Sequence, residues 1–232
     1  MHKAVLPQNV QHRSMLYRTL LNHGAVFASI GDSAIAAHFG RDDEARAARQ
    51  LGISDLSPLP RTGFKSKNTV AWLEKQGVAI PERPNRSTVQ NDGSLVARLS
   101  NDEHVILASL GGSGLPARLD EAWQIDTSRM CYRMPRAHSY TWLAVTGEHS
   151  GTMFSKVCGV DLRLHKFPLG EIAQTSLARI NALIIRADMG STAAFYVLAD
   201  SASAEFLWMC LIDAMQEFTG IPVGVDALRT LV

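Results

Sequence analysis

The sequence predicts an α+β protein made of two related lobes, each an antiparallel sheet with helices. Three observations carry this. Asn91-Asp92-Gly93 is a hairpin-turn sequence set between two runs of strand character. Leu207, Leu211, Ala214, Met215 and Phe218 recur at helical spacing. The two halves also follow one order: a strand, a short helix ending in Gly-Val (Gly77-Val78, then Gly159-Val160), antiparallel strands and a closing helix. With 46% hydrophobic and 19% charged residues over 232 positions, the chain can bury a sizeable core. Boundaries follow at 1–50 for an N-terminal arm with helices, 51–135 for the first lobe and 136–232 for the second. A cleft between such lobes is where a small molecule is expected.

Taken in order, residues 1–13 are polar and read as a loose arm or partner-binding tail. They lack the apolar run and cleavage site of a secretory leader. Ser14 is a candidate cap for a helix with Met15, Leu16, Thr19 and Leu20 on one face and Gly24 as its stop. Residues 25–30 suit a short strand. A helix over 42–51 has Asp42, Asp43 and Glu44 in its first turn and Arg46 and Arg49 later, matching the helix dipole, and Gly52 ends it. The stretch 52–65, with Pro58 and Pro60, reads as a rigid connector that sets how the chain enters its main sheet; 62–65 suits a strand. Asn68 can cap a helix to Gln76, and Pro81 with Pro84 makes the next piece a loop.

Strands are expected over 94–99 and 104–110, then a flexible Gly111-Gly112-Ser113-Gly114 link and a short helix started by Pro116. The second half opens with a strand over 140–145 and a helix over 150–158. Three strands follow over 172–178, 181–186 and 194–199, and then the closing helix, capped by Asp200 or Ser201 and ended by Gly220 and Pro222.

Composition excludes several roles. The formal net charge is +1, from 23 basic and 22 acidic residues, which gives no support for a nucleic-acid or membrane-surface partner. Cys131, Cys158 and Cys210 are solitary, so neither a disulfide framework nor a zinc site can be drawn from them, and a cytoplasmic protein is expected. The apolar runs are too short for a membrane span. The eight histidines form no His-x-His or His-Glu-x-x-His pattern. The glycine-rich 111–114 stretch lacks the Lys-Ser/Thr of a phosphate loop, and Leu115 denies Ser113 a nucleophile elbow. Asp32 and His38 could form a catalytic pair but are read as surface residues, and Trp72, Trp123, Trp142 and Trp208 as core. Arg179 suits either a bidentate carboxylate contact or a structural ion pair. Pattern alone shows no catalytic constellation.

A family resemblance adds to this. Asp43-Glu44-Ala45 through Ala48-Arg49, then Gly52-Ile53-Ser54-Asp55-Leu56-Ser57, resembles the early signature of the aminomethyltransferase family. That family comprises the T-protein of glycine cleavage and its folate-binding relatives. Leu16-Tyr17, Gly24-Ala25-Val26-Phe27 and His38-Phe39-Gly40 fall where the family has similar residues; Asn91 to Leu95 resembles its hairpin, and Trp142 to Gly147 its Ala-Val-x-Gly-Pro segment. Asp55-Leu56-Ser57-Pro58, Gly63-Phe64-Lys65, residues 156–162 and Gln174-Thr175-Ser176-Leu177-Ala178-Arg179 are most similar to the gamma-subunit branch of heterotetrameric sarcosine oxidase. The family's acidic pair after the hairpin, one member of which is catalytic, is here Ala97 and Arg98. Its pterin-gripping glutamate segment is missing after Arg179. Alanine can neither hydrogen-bond a pterin nor take up a proton. The family's C-terminal barrel is not discerned in the sequence.

The resemblance implies a non-catalytic or folate-facing subunit of a complex that oxidises sarcosine, N-methylglutamate or dimethylamine, with tetrahydrofolate collecting the one-carbon unit and other subunits as partners. No catalytic or metal residue is assigned. Asp55, Ser109 and Arg179 are the candidate tetrahydrofolate contacts. The alternatives are a stand-alone tetrahydrofolate-dependent methyl or methylene transferase, in which Asp55 or another carboxylate replaces the lost pair, and a folate-binding assembly factor.

Overall fold

The computed structural model describes residues 4–126 and 130–232. The first three residues of the arm expected at 1–13, on which the leader-free reading partly rests, lie outside the described residues. The chain forms two units. The first takes in residues 1–58, 140–169 and 173–232; the second takes in 59–139 and 170–172.

The chain opens with β1 (Ala4–Val5), α1 (Tyr17–Asn22), β2 (Val26–Ile30) and β3 (Ser33–His38). The three strands form an antiparallel sheet in the order β1-β2-β3. Ser14 Oγ accepts from the Leu16 amide at 3.1 Å ahead of α1. β3 was not anticipated. Ala34, Ile35, Ala36 and Ala37 are all buried, so the strand has no polar face to give the alternation that marks a half-exposed strand.

Next come α2 (Glu44–Gln50) and β4 (Gly52–Asp55). Glu44 is buried. Its carboxylate accepts from the amides of Phe39 (2.7 Å), Arg41 (3.3 Å) and Gly224 (2.9 Å), fastening the loop before α2 to the far end of the chain. The stretch expected as a connector is a strand at both ends. Gly52 does end α2, but it is also the first residue of β4, where a Cβ would stand 3.0 Å from Ala48 Cα.

The second unit holds β5 (Arg61–Lys65), α3 (Thr69–Lys75), β6 (Arg86–Val89), β7 (Leu95–Arg98), β8 (Glu103–Leu107), α4 (Leu115–Ala122) and β9 (Tyr132–Arg133). Its sheet runs β6-β7-β8-β5-β9, all pairs antiparallel. Phe64, Val96 and Ile106 on one face pack with Leu73, Leu115 and Leu119 of the helices. Residues 170–172 add to the β6 edge: the Ser87 amide donates to Gly170 O at 2.8 Å and the Ile172 amide to Asn85 O at 3.0 Å. Gly111 to Gly114 is no flexible link. The Gly112 amide donates to Ser109 O at 2.8 Å, closing a tight turn.

The first unit resumes with β10 (Tyr140–Thr146), α5 (Ser150–Met153), β11 (Ile172–Leu177), β12 (Ile180–Arg186), β13 (Ala194–Asp200), α6 (Ala204–Met215), β14 (Ile221–Pro222) and α7 (Val225–Arg229). Its six-stranded sheet runs β11-β12-β13-β10-β4-β14, with β14 parallel to β4. Ile53, Leu143, Val145, Val197 and Ile184 on one face join Leu207, Trp208, Leu211 and Met215 of α6 in the main core. Asp200 is the cap: its Oδ1 accepts from the Ala202 amide at 2.8 Å, in a short 3-10 turn that leads into α6. The architecture is thus mixed α+β with antiparallel sheets. No helix among the described residues is long and apolar enough to cross a membrane.

Candidate functional site

Strand register decides which side chains of the first unit meet. Ala144 pairs with Ser54 on one side and Tyr196 on the other; Trp142 pairs with Leu198, and Leu198 with Leu183. Successive residues alternate faces, so Ser54, Trp142, Tyr196, Leu198 and Leu183 share the face opposite the α6 core. Tyr140, Asn181 and Asp200 fall on that same face, toward the end of the strands where Tyr140 and Asp200 pair. There they line a groove of about 440 Å³ with Gln174, Leu183 and Leu198.

Two polar groups on this face lack partners. Ser54 Oγ and Trp142 Nε1 are buried and hydrogen-bond to no described residue. Leaving such a group unsatisfied costs about 1–3 kcal/mol each, and each calls for a physical explanation. Tyr196 meets the Trp142 ring edge-to-face at 5.3 Å, and burial pushes its phenol up to about 12. The arrangement is a neutral face: one indole donor, one hydroxyl, one phenol and an apolar floor, with amides and a carboxylate at the groove's rim. Sequence reasoning missed it. Only the pairing register puts Ser54, Trp142 and Tyr196 on one face, and β4, which carries Ser54, was expected as part of a connector and not as a strand.

The candidates named from sequence lie elsewhere. Asp55 ends β4 on the core face, 2% exposed, and its Oδ1 accepts from the Ser57 amide at 3.0 Å in a local turn. Ser57 Oγ in turn accepts from the Trp142 amide at 3.0 Å. Ser109, in the second unit, is engaged with Ser113: its Oγ accepts from the Ser113 amide at 3.3 Å, and Ser113 Oγ accepts from the Ser109 amide at 3.0 Å. Ser113 Oγ also meets Ser94 Oγ at 2.5 Å, and Ser94 bonds Asp92. This chain of hydroxyls pins the hairpin turn. Gly93 there has φ +79°, and a Cβ on it would lie 3.1 Å from Ser109 Cβ.

Arg179 sits in the two-residue turn between β11 and β12. Ala178 and Arg179 have φ of 48° and 68°, the left-handed geometry that such turns usually give to Asn-Gly. Holding two non-glycine residues there costs about 1–2 kcal/mol each. Arg179 is exposed and hydrogen-bonds to no described residue. It lines a groove of about 630 Å³ with Lys156, Cys158, Phe206, Cys210 and Asp213. Asp55 registers through Leu143 and Val197 to Ile184. Three strand spacings and five residues of rise then put Arg179 about 20 Å from Asp55. These two do not form one pocket.

One further titratable group stands out in the second unit. His104 is fully buried on β8, and neither ring nitrogen hydrogen-bonds to a described residue. Burial first, then the Arg98 guanidinium, push it down to about 4, so it is neutral at pH 7.

A family model described as the GCVT N-terminal domain matches residues 84–232, well over half of the chain. The chain belongs to the GCVT N-terminal domain family. An aminomethyltransferase of Acidobacterium capsulatum is 25% identical over 147 residues, which is 60% of this chain and 37% of that protein. The chain therefore spans little more than a third of this curated relative. Among solved structures, heterotetrameric sarcosine oxidase from Corynebacterium sp. U-96, in complex with pyrrole 2-carboxylate, matches with a TM-score of 0.62 at 22% identity. That match covers 76% of this chain and 91% of the solved one. The glycine cleavage system aminomethyltransferase T of Bartonella henselae matches with a TM-score of 0.71 at 15% identity, covering 95% of this chain and 61% of the other. At these identities the likeness is one of fold.

In this GCVT-family chain the two positions read as replacing an acidic pair have structural work. Ala97 is fully buried in β7. Arg98 Nη1 donates to the carbonyls of Pro81 and Glu82, each at 2.9 Å, tying the proline-rich loop to the sheet.

Proposed function

We propose that the chain is a non-catalytic, tetrahydrofolate-facing subunit of a cytoplasmic complex that oxidises an N-methyl amine, in the manner of the sarcosine oxidase gamma branch. The carrying observation is the groove on the first unit's sheet, lined by Tyr140, Gln174, Asn181, Leu183, Leu198 and Asp200. The groove's own lining fits a pterin: the Gln174 and Asn181 amides can both donate and accept, and the Asp200 carboxylate can accept. Tetrahydrofolate, when bound, supplies the acceptor for a one-carbon unit. The chain's own residues would orient the ring and exclude water from it. Asp55 and Ser109 are already bonded within the protein, which argues for structural roles, and Arg179 is too far from Asp55 to share a ligand with it. The near-complete coverage of a sarcosine oxidase chain supports the subunit role, and Ala97 and Arg98 support the absence of turnover.

The test has two arms. The isolated chain is titrated anaerobically with tetrahydrofolate by calorimetry, alongside Gln174→Leu and Asn181→Leu, which remove groove-lining amides. Binding weakened about tenfold or more in each variant is expected, for one lost hydrogen bond with its partner left buried. Wild-type affinity in both variants would remove the site. The chain is also co-expressed with the products of its neighbouring genes; a chain that always purifies alone would remove the subunit role.

A further inference from the structure

The lining of the groove on the first unit's sheet falls into two cross-strand rows. Leu198 of β13 pairs with Leu183 of β12, and both are buried, so they make an apolar floor. Two residues further along the strands, and therefore on the same face, stand Tyr140, Asp200 and Asn181. Asp200 pairs with Tyr140 of β10, and Asn181 follows the Ala182–Ala199 pair on its other side. A step of two residues is about 6.8 Å, and neighbouring strands lie about 4.8 Å apart. A planar ring resting on the two leucines therefore turns one edge toward Asp200.

Among the described residues lining the groove, Asp200 alone is charged, and it makes no ion pair with a described residue. Its Oδ1 accepts from the Ala202 amide at 2.8 Å. That bond orients the carboxylate and leaves Oδ2, with the second lone pair of Oδ1, for a ligand. A carboxylate only accepts, so what it meets must donate. Two acceptor oxygens side by side match two adjacent N–H groups.

We propose that Asp200 sets the ligand specificity of this groove. It takes a ring that presents two adjacent N–H donors, as a 2-amino-4-oxopteridine does with its 2-amino group and its neighbouring ring N–H. It rejects a ring with a carbonyl at position 2. The proposal rests on the tetrahydrofolate reading above and names the residue that selects the ring. A carbonyl at position 2 faces the carboxylate acceptor to acceptor, with no proton between them, and is repelled. The Gln174 and Asn181 amides do not discriminate in this way, because an amide can turn either its donor or its acceptor end to a ligand.

The probes are tetrahydropterin and tetrahydrolumazine, which carry an amino group and a carbonyl, respectively, at position 2. Each is titrated anaerobically into the full chain by calorimetry. Wild type should bind tetrahydropterin at least tenfold tighter, as expected for one charge-assisted hydrogen bond near solvent. Asp200→Asn is the decisive variant. Its side-chain carbonyl still accepts from the Ala202 amide, so Tm should stay within about 2 °C of wild type. Its amide nitrogen now donates, so the preference for tetrahydropterin should vanish or reverse. Asp200→Ser also keeps an acceptor for the Ala202 amide. It should lose tetrahydropterin affinity without gaining any for tetrahydrolumazine.

Equal affinity of wild type for the two rings, or an Asp200→Asn variant that keeps the wild-type preference, overturns the assignment to Asp200. The tetrahydrofolate reading then stands on the losses in Gln174→Leu and Asn181→Leu. Tetrahydrofolate that binds while neither ring competes with it shows that the groove does not hold the ring, and overturns the assignment as well. A wild-type chain that binds neither the rings nor tetrahydrofolate overturns both.

Discussion

Replacing Glu44 with alanine removes one carboxylate and orphans three backbone amides. Those of Phe39 and Gly224 are close, at 2.7 and 2.9 Å, and that of Arg41 is longer at 3.3 Å. A buried amide left without an acceptor costs about 1–3 kcal/mol. Two strong bonds and one weak one therefore predict a loss of about 4 kcal/mol. For a chain of this size that lowers Tm by about 12 °C. Glu44→Gln keeps one acceptor oxygen and turns an amide donor toward the remaining amides, so it should lose about half as much, ~2 kcal/mol. Urea denaturation followed by circular dichroism measures both, with an unchanged m-value as the check that only stability has moved. The reasoning fails if alanine costs less than about 1 kcal/mol, since water would then be replacing the carboxylate without penalty. It also fails if glutamine proves as costly as alanine.

Three further outcomes follow from particular contacts. His104 is held to about 4 when folded against 6.5 when free, so the unfolded chain takes up the proton first. Its contribution is intact above pH 6.5 and is lost as pH falls from 6.5 to 4, by about 2 kcal/mol after solvent screening; His104→Leu should flatten that part of the stability profile, and an unchanged profile would contradict the burial argument. Gly147 has φ +106°, and a Cβ there would lie 2.4 Å from the Gln50 carbonyl. Gly147→Ala should cost about 4 kcal/mol or more, or prevent folding altogether, read as loss of soluble yield. Arg98→Met frees the Pro81 and Glu82 carbonyls and should expose residues 81–84 to limited proteolysis, with cleavage there faster than in wild type.

The parts of the fold legible in the sequence were those whose signal is local. The Asn91-Asp92-Gly93 hairpin and the periodic stripe of α6 are set by residues a few positions apart, and both are present. β3 was not legible because an unbroken run of small apolar residues carries no alternation. Gly52 read as a stop because glycine often ends helices, but it also opens a strand, and the close approach of Ala48 that requires it involves packing no pattern reveals. Gly111 to Gly114 looked flexible because glycine is permissive; Ser94, Ser109 and Ser113, spread over twenty positions, order it. The candidate face is the extreme case. Ser54, Trp142 and Tyr196 stand in three strands far apart in sequence, and a shift of one residue in any pairing would turn each to the other side.

The broken course of the first unit has a consequence for synthesis. β4 leaves the ribosome early, but its partner β10 begins at residue 140, and the edge strand β14 only at residue 221. Between β4 and β10 the ribosome makes nearly the whole second unit, in one run from 59 to 139. That unit can close most of its own sheet while β4 still waits with both edges unpaired. An unpaired strand is an invitation to wrong partners. The late arrival of β14 then means that premature termination after α6 would release a chain whose six-stranded sheet is one strand short, with β4 as its open edge.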